Sequence, residues 1–197
     1  GIARSWEMLR HRDPEEVQAS ARVSYDPQAG RFDLVCLGQK IGVHMATQEI
    51  ASSSWWGDLL LRRFPEYAKL SILRYLAQAQ DVPLRQELIK PSQLPGGDFF
   101  LSGTHVLPLQ GLAHRFDCNP ESFVARGRAL GGVKAELGDA ALALHPFPRI
   151  PMSVILWFGD EEFAPGASLL VDASCQEHMP ADILWSTAMF TLEMLML

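Results

Sequence analysis

The sequence predicts an α+β fold, a largely antiparallel sheet packed with helices and closed by a C-terminal helix buried in the core or in an interface. Three observations predict it. Short extended runs near the N-terminus are joined by tight-turn residues, which is the pattern of an antiparallel meander. Helix signals cluster between two strand-rich regions rather than alternating with single strands, so a Rossmann-like α/β fold is the poorer reading. The last segment, Ile183–Leu197, is apolar nearly all round, as a central or interfacial helix must be.

Residues 3–21 read as helical, with Trp6, Leu9 and Val17 supplying an apolar stripe. Asp13-Pro14-Glu15-Glu16 restarts the helix with a capping side chain, a proline at the first helical position and acids facing the positive dipole end. Arg22–Tyr25, Arg31–Leu37 and Lys40–Met45 follow as strands, with turns at 26–30 and at Gly38-Gln39. In the second strand Phe32, Leu34 and Cys36 share one face. Residues 51–57 read as loop. Pro65-Glu66 opens a helix to about Gln80, on which Ala68, Ile72, Tyr75, Leu76 and Ala79 form one buried face. Residues 82–97 read as extended and turn-rich. Helices are expected at 106–116 and from Pro120, capped by Asn119, to Leu130, where Gly131-Gly132 ends it. Ala140–Leu144, Met152–Phe158 and Ser168–Val171 are the later strands, the first two separated by residues 145–149, and Pro180 starts the last helix.

The chain has 197 residues, 48% hydrophobic and 20% charged, enough for one globular α+β domain over 1–197 with a helical N-terminal segment at 1–21. A formal net charge of −6 argues against a nucleic-acid surface. The densest basic stretch, Arg62, Arg63, Lys69 and Arg74, is interleaved with Glu66 and reads as a solvated helix face. No leader pattern opens the chain, and the apolar C-terminal segment is shorter than the ~20 residues that span a bilayer. Cys36, Cys118 and Cys175 form no C-x-x-C pair, so they read as buried thiols of a cytoplasmic protein.

Nucleotide-binding glycine motifs, zinc-protease motifs and nucleophile elbows are missing from the sequence. Gly96-Gly97 reads as a turn, and Ser52-Ser53-Ser54 has no spacing that activates a nucleophile. The richest stretch is WFGDEEFAPGASLLVDAS, residues 157–174. Its carboxylates sit at the ends of apolar runs, with Gly159-Asp160 suited to a hairpin turn. Candidate ligand-binding residues are Asp160, Glu161, Glu162, Asp172 and His178, with the pair Trp55-Trp56 lining a pocket or covering a core edge. For chemistry, Asp160 or Glu162 would have to meet Asp172, His178 or Asp182 in space, where oxygen ligands plus an imidazole can hold a metal. Otherwise the acids are a solvated turn and helix-dipole partners. His44, His105, His114 and His145 have no spacing that makes them ligands.

The run PMSVILWFGDEEFAPGASLLVDAS followed by HMPADI resembles the C-terminal signature of the DUF3786 family. LPGGDFF at 94–100 and the helix ending in Gly131-Gly132 resemble its central part. Val171 stands before Asp172 where that pattern would have an aromatic. The resemblance implies a bacterial or archaeal protein of unknown function. It also implies relatives that carry a cysteine-rich iron–sulfur region, which these residues do not include. It carries over no catalytic residue and names no cofactor.

Two functions follow as expectations. The first is a non-catalytic module binding a small molecule, a cofactor or a protein. The alternative is a metal-dependent enzyme using the acidic cluster at 160–182. The apolar C-terminal helix further allows a homo-oligomer joined through it.

Overall fold

The computed structural model describes residues 1–101 and 106–197, apart from the side chains of Phe99 and Leu101. His105 lies outside the described residues. The N-terminal helices are α1 (Ile2–Arg10) and α2 (Pro14–Ala21). Asp13 caps α2, its Oδ1 accepting the Glu15 N–H at 2.8 Å, with Pro14 at the first helical position. An antiparallel sheet follows, of β1 (Ser24–Asp26), β2 (Arg31–Cys36), β3 (Gln39–His44) and β4 (Glu49–Ala51), in that spatial order. Phe32, Leu34 and Cys36 are buried on one face while Val35 is exposed. Leu37 and Gly38, both with positive φ, make the two-residue turn between β2 and β3.

Residues 55–57 differ from expectation: Trp55 and Trp56 open a helix, α3 (Trp55–Arg63), rather than lying in a loop. Ser54 caps it, its Oγ accepting the Gly57 N–H at 3.1 Å, so the serine run is capping chemistry. α4 (Pro65–Gln78) buries Ala68, Ile72, Tyr75 and Leu76 as the 3.6-residue period requires, and Ala79 just beyond its end is buried too. Two short helices, α5 (Leu109–Arg115) and α6 (Pro120–Ala129), lead to the second sheet.

That sheet is antiparallel, in the order β5 (Leu88–Ile89), β9 (Gly166–Asp172), β8 (Ile150–Trp157), β7 (Ala140–Phe147), β6 (Val133–Ala135). β4, β5 and β6 are too short to carry an alternation that sequence can reveal. β7 runs on through His145-Pro146-Phe147, beyond its expected end at Leu144, with an irregular register there that accommodates the proline. The connection between β7 and β8 is therefore only Pro148-Arg149.

The last helix, α7 (Ala181–Met196), is buried on most of its circumference and packs against α4, α5 and α6. Its apolar girth is thus covered within one chain. Each fully buried Leu, Ile or Phe there contributes about 1.5–3 kcal/mol of transfer free energy. One core draws on both sheets and all the longer helices, from Trp6 to Leu195. Among the described residues, no helix is long and apolar enough to cross a membrane.

Candidate functional site

The segment between β8 and β9 is a loop over residues 158–165, longer than the tight hairpin that Gly159-Asp160 predicts. Three aspartates from three segments shape it. Asp160 Oδ1 accepts the N–H groups of Glu162 at 2.8 Å and Phe163 at 2.7 Å, and the Asp160 N–H donates to the Phe163 carbonyl at 2.9 Å. Asp139, in the turn before β7, accepts the Phe158 N–H at 2.7 Å through Oδ2. Asp117, after α5, accepts the Gly159 N–H at 2.9 Å. The two N–H groups aimed at Asp160 hold its carboxyl below the usual carboxylate range.

This bracing presents side chains outward. Phe163 is 69% exposed and Trp157 45%, with Leu137 exposed in the turn before β7. Gly138 of that turn lies over Trp157: a Cβ there would sit 3.4 Å from the indole. Glu161 and Glu162 are exposed beside Phe163. A shallow cavity of about 520 Å³ is lined by Asp117 and residues 159–165. Among the described residues, no lysine or arginine pairs with Asp117, Asp139, Asp160, Glu161 or Glu162. This end of the sheet therefore combines exposed aromatic surface with uncompensated negative charge. Cys118 stands beside it and is exposed, unlike Cys36 and Cys175, which are buried as expected; desolvation and the Asp117 charge raise its thiol, which disfavours the reactive thiolate.

Asp172 and His178 are elsewhere. The six-residue advance along β9 separates Asp172 from the start of that strand by about 20 Å, so it cannot share a ligand with Asp160. Asp172 is buried, and its Oδ1 accepts the Ser174 hydroxyl, the Ser174 N–H at 2.9 Å and the Arg85 N–H at 3.0 Å. Burial alone would raise its pKa, but these donors outweigh it and hold the carboxyl below its ordinary value. His178 is fully buried, Nδ1 accepting the Gln80 N–H at 3.3 Å and Nε2 without a partner among the described residues. Burial first, and then the nearby Arg149 charge, push it down to about 4, so the ring is neutral at pH 7. Cys175, in the same neighbourhood, is pushed up to about 12 by burial.

Arg149 organises that neighbourhood. Only 2% exposed, it donates to the carbonyls of Ser20, Val82 and Ala19 and pairs with Asp81. Its backbone N–H reaches Tyr75 Oη at 3.1 Å, and that hydroxyl donates to the Ala21 carbonyl at 2.8 Å. The chain ends of α2 and α4 are thereby tied to the β7–β8 turn. Most polar groups of this cluster act as tethers, His178 Nε2 has no partner among the described residues, and neither the Cys175 thiol nor the His178 ring is tuned for proton or nucleophile chemistry at neutral pH.

The tryptophan pair lies at the start of α3. Trp55 is 63% exposed and meets Trp56 edge-on at 4.6 Å, while Trp56 packs on the core under the Arg126 guanidinium, 4.9 Å from its ring centroid. The structure thus divides the sequence-selected residues into three places: Asp160, Glu161 and Glu162 together, Asp172 with His178, and Trp55 with Trp56. Among the described residues, no group of three or more His, Cys, Asp or Glu side chains is placed to hold a metal ion.

The comparison with protein families adds one finding. A family model described as a domain of unknown function, DUF3786, matches residues 13–194. The chain belongs to the DUF3786 family. Searches of curated proteins and of solved structures found no match. The match takes in both sheets of this DUF3786 domain and nearly all of α7, as well as the acidic loop.

Sequence reasoning missed Phe163, Trp157, Leu137, Asp117 and Asp139 at the acidic end, and Arg149 inside. Phe163 had a local signal, an aromatic between acids and a proline in a loop. Arg149 had one too, a single cation in the otherwise apolar run PFPRIPM. Asp117 and Asp139 arrive from distant segments and had none.

Proposed function

We propose that this DUF3786 domain is a non-catalytic binding module that recognises a basic segment of a protein partner through the acidic, aromatic end of its second sheet. The observation that carries this reading is Phe163, two-thirds exposed on a braced loop among carboxylates that form no ion pair among the described residues. This exposed aromatic, with Trp157 exposed at the end of the strand that leads into the loop, supplies the apolar anchor that a contact needs at its centre. Asp117, Asp139, Asp160, Glu161 and Glu162 supply the charged rim, which steers a cationic partner and rejects anionic ones. Lysine or arginine side chains of the partner can also lie over the exposed rings. The loop is held by backbone hydrogen bonds to three aspartates, so little ordering entropy is lost on binding.

The test is a fluorescence-anisotropy titration of the whole chain with a labelled lysine- and leucine-rich peptide. Saturable binding is expected, weakening as salt rises and falling roughly tenfold or more in Phe163→Ser, the loss of one anchor worth about 1.4 kcal/mol. Binding that Phe163→Ser and the triple variant Asp160→Asn, Glu161→Gln, Glu162→Gln leave unchanged would refute the reading.

A further inference from the structure

The second sheet leaves a gap in its outer layer. β5 covers only Val171 and Asp172 of β9, although β9 begins at Gly166. The turn at Pro91–Gln93 and α5 both contact β9. A cavity of about 430 Å³ lies there, with Ser168 and Leu169 of β9 in its wall. Its lining is mostly apolar, with Phe100, Leu107 and Leu109 the bulkiest contributors. Among the described residues that line it, Lys90 is the one charged side chain, and Ser92 and Ser168 add hydroxyls. Among the described residues, Lys90 forms no ion pair.

We infer that this cavity binds a small apolar monocarboxylic acid, its hydrocarbon part against Phe100, Leu107, Leu109 and Leu169 and its carboxylate at Lys90. The volume falls within the roughly 300–1,000 Å³ typical of small-molecule sites, and an apolar wall with a few polar groups is their usual composition. Lys90 is exposed, so its ammonium stays solvated beside a neutral ligand, but its charge attracts an anion to the apolar wall and repels a cation. The two serine hydroxyls can donate to the second carboxylate oxygen. Among the described lining residues a dianion finds a single cation, which favours a ligand of single charge. The acidic loop lines none of this cavity and meets it through Gln110, whose side-chain N–H donates to the Pro165 carbonyl at 3.3 Å, so the Lys90 and Phe163 variants test the two sites separately.

The probes are octanoate and its uncharged counterpart 1-octanol, titrated by calorimetry into the full chain, with amide chemical shifts followed by NMR. Octanoate is expected to bind one to one, shifting residues 90–92, 107–110 and 168–169. Lys90→Gln should weaken octanoate roughly tenfold or more while leaving octanol unchanged. Ser168→Tyr, which fills the cavity from the strand, should abolish binding of both, with an unchanged circular-dichroism spectrum confirming the fold. Equal binding of octanoate to the wild type and to Lys90→Gln would overturn the carboxylate assignment. So would shifts that map elsewhere, or no octanoate binding at millimolar concentration.

Discussion

Arg149→Met removes the donors that satisfy the carbonyls of Ser20, Ala19 and Val82, and it leaves Asp81 without its partner. Unpaired buried acceptors are costly, so a loss of about 3–5 kcal/mol is expected in urea denaturation, with Arg149→Lys recovering little because an ammonium cannot span the same fork. His178 gives the complementary prediction. The folded chain keeps it neutral down to about pH 4, whereas an unfolded chain takes up that proton near 6.5. Its stabilising contribution is complete above pH 6.5 and is lost as pH falls toward 4, a change of up to about 3 kcal/mol. Burial lowers His145 as well, which acts in the same direction. Denaturation midpoints at pH 7 and pH 4.5 should therefore differ more in the wild type than in His178→Gln. Asp172, whose pKa is held low, keeps its contribution across that window and loses it only in stronger acid.

At the scale of elements, the two sheets meet where the Leu37 N–H of the β2–β3 turn donates to the His145 carbonyl of β7 at 3.2 Å, and the same turn touches the glycine after α6. A Cβ on Gly38 would lie 2.7 Å from the Gly131 Cα, and a Cβ on Gly131 would lie 2.6 Å from the Gly38 Cα. Both glycines have φ of +72°, a conformation side chains resist. Gly38→Ala should cost more than about 1 kcal/mol in thermal or urea unfolding, through both the strain and the forced separation of backbones. Much at this scale was legible in the sequence. Asp13-Pro14 and Asn119-Pro120 announce two helix starts, and the α4 stripe and the β2 alternation report local periods that burial respects. The misread elements share a physical cause. α3 begins at a tryptophan pair capped by a serine that also resembles loop, and the short strands β4 to β6 are set by pairing partners remote in sequence. The Asp160 loop was legible as a turn, but the aspartates from other segments that brace it were not.

At the scale of the molecule, α7 is the buried axis around which α4, α5 and α6 gather, and the sheets close the core around it. Deleting residues 181–197 should abolish cooperative unfolding altogether, checked by calorimetry, because the removed helix carries Phe190, Leu192, Met194 and Leu195 of the core. The functional features lie outside this core: the acidic end displays charge and aromatic surface, and the β5–β9 gap holds an apolar cavity. Of these two, the acidic end carries the proposed recognition of a basic partner. Its most direct test is an unbiased selection of peptides from a random display library on the immobilised whole chain, repeated on the variant carrying Phe163→Ser with Asp160→Asn, Glu161→Gln and Glu162→Gln. Wild-type selection is expected to enrich peptides combining lysine or arginine with apolar residues, and the variant to lose them. Enrichment of acidic or neutral peptides, or of the same basic peptides on both proteins, would contradict it.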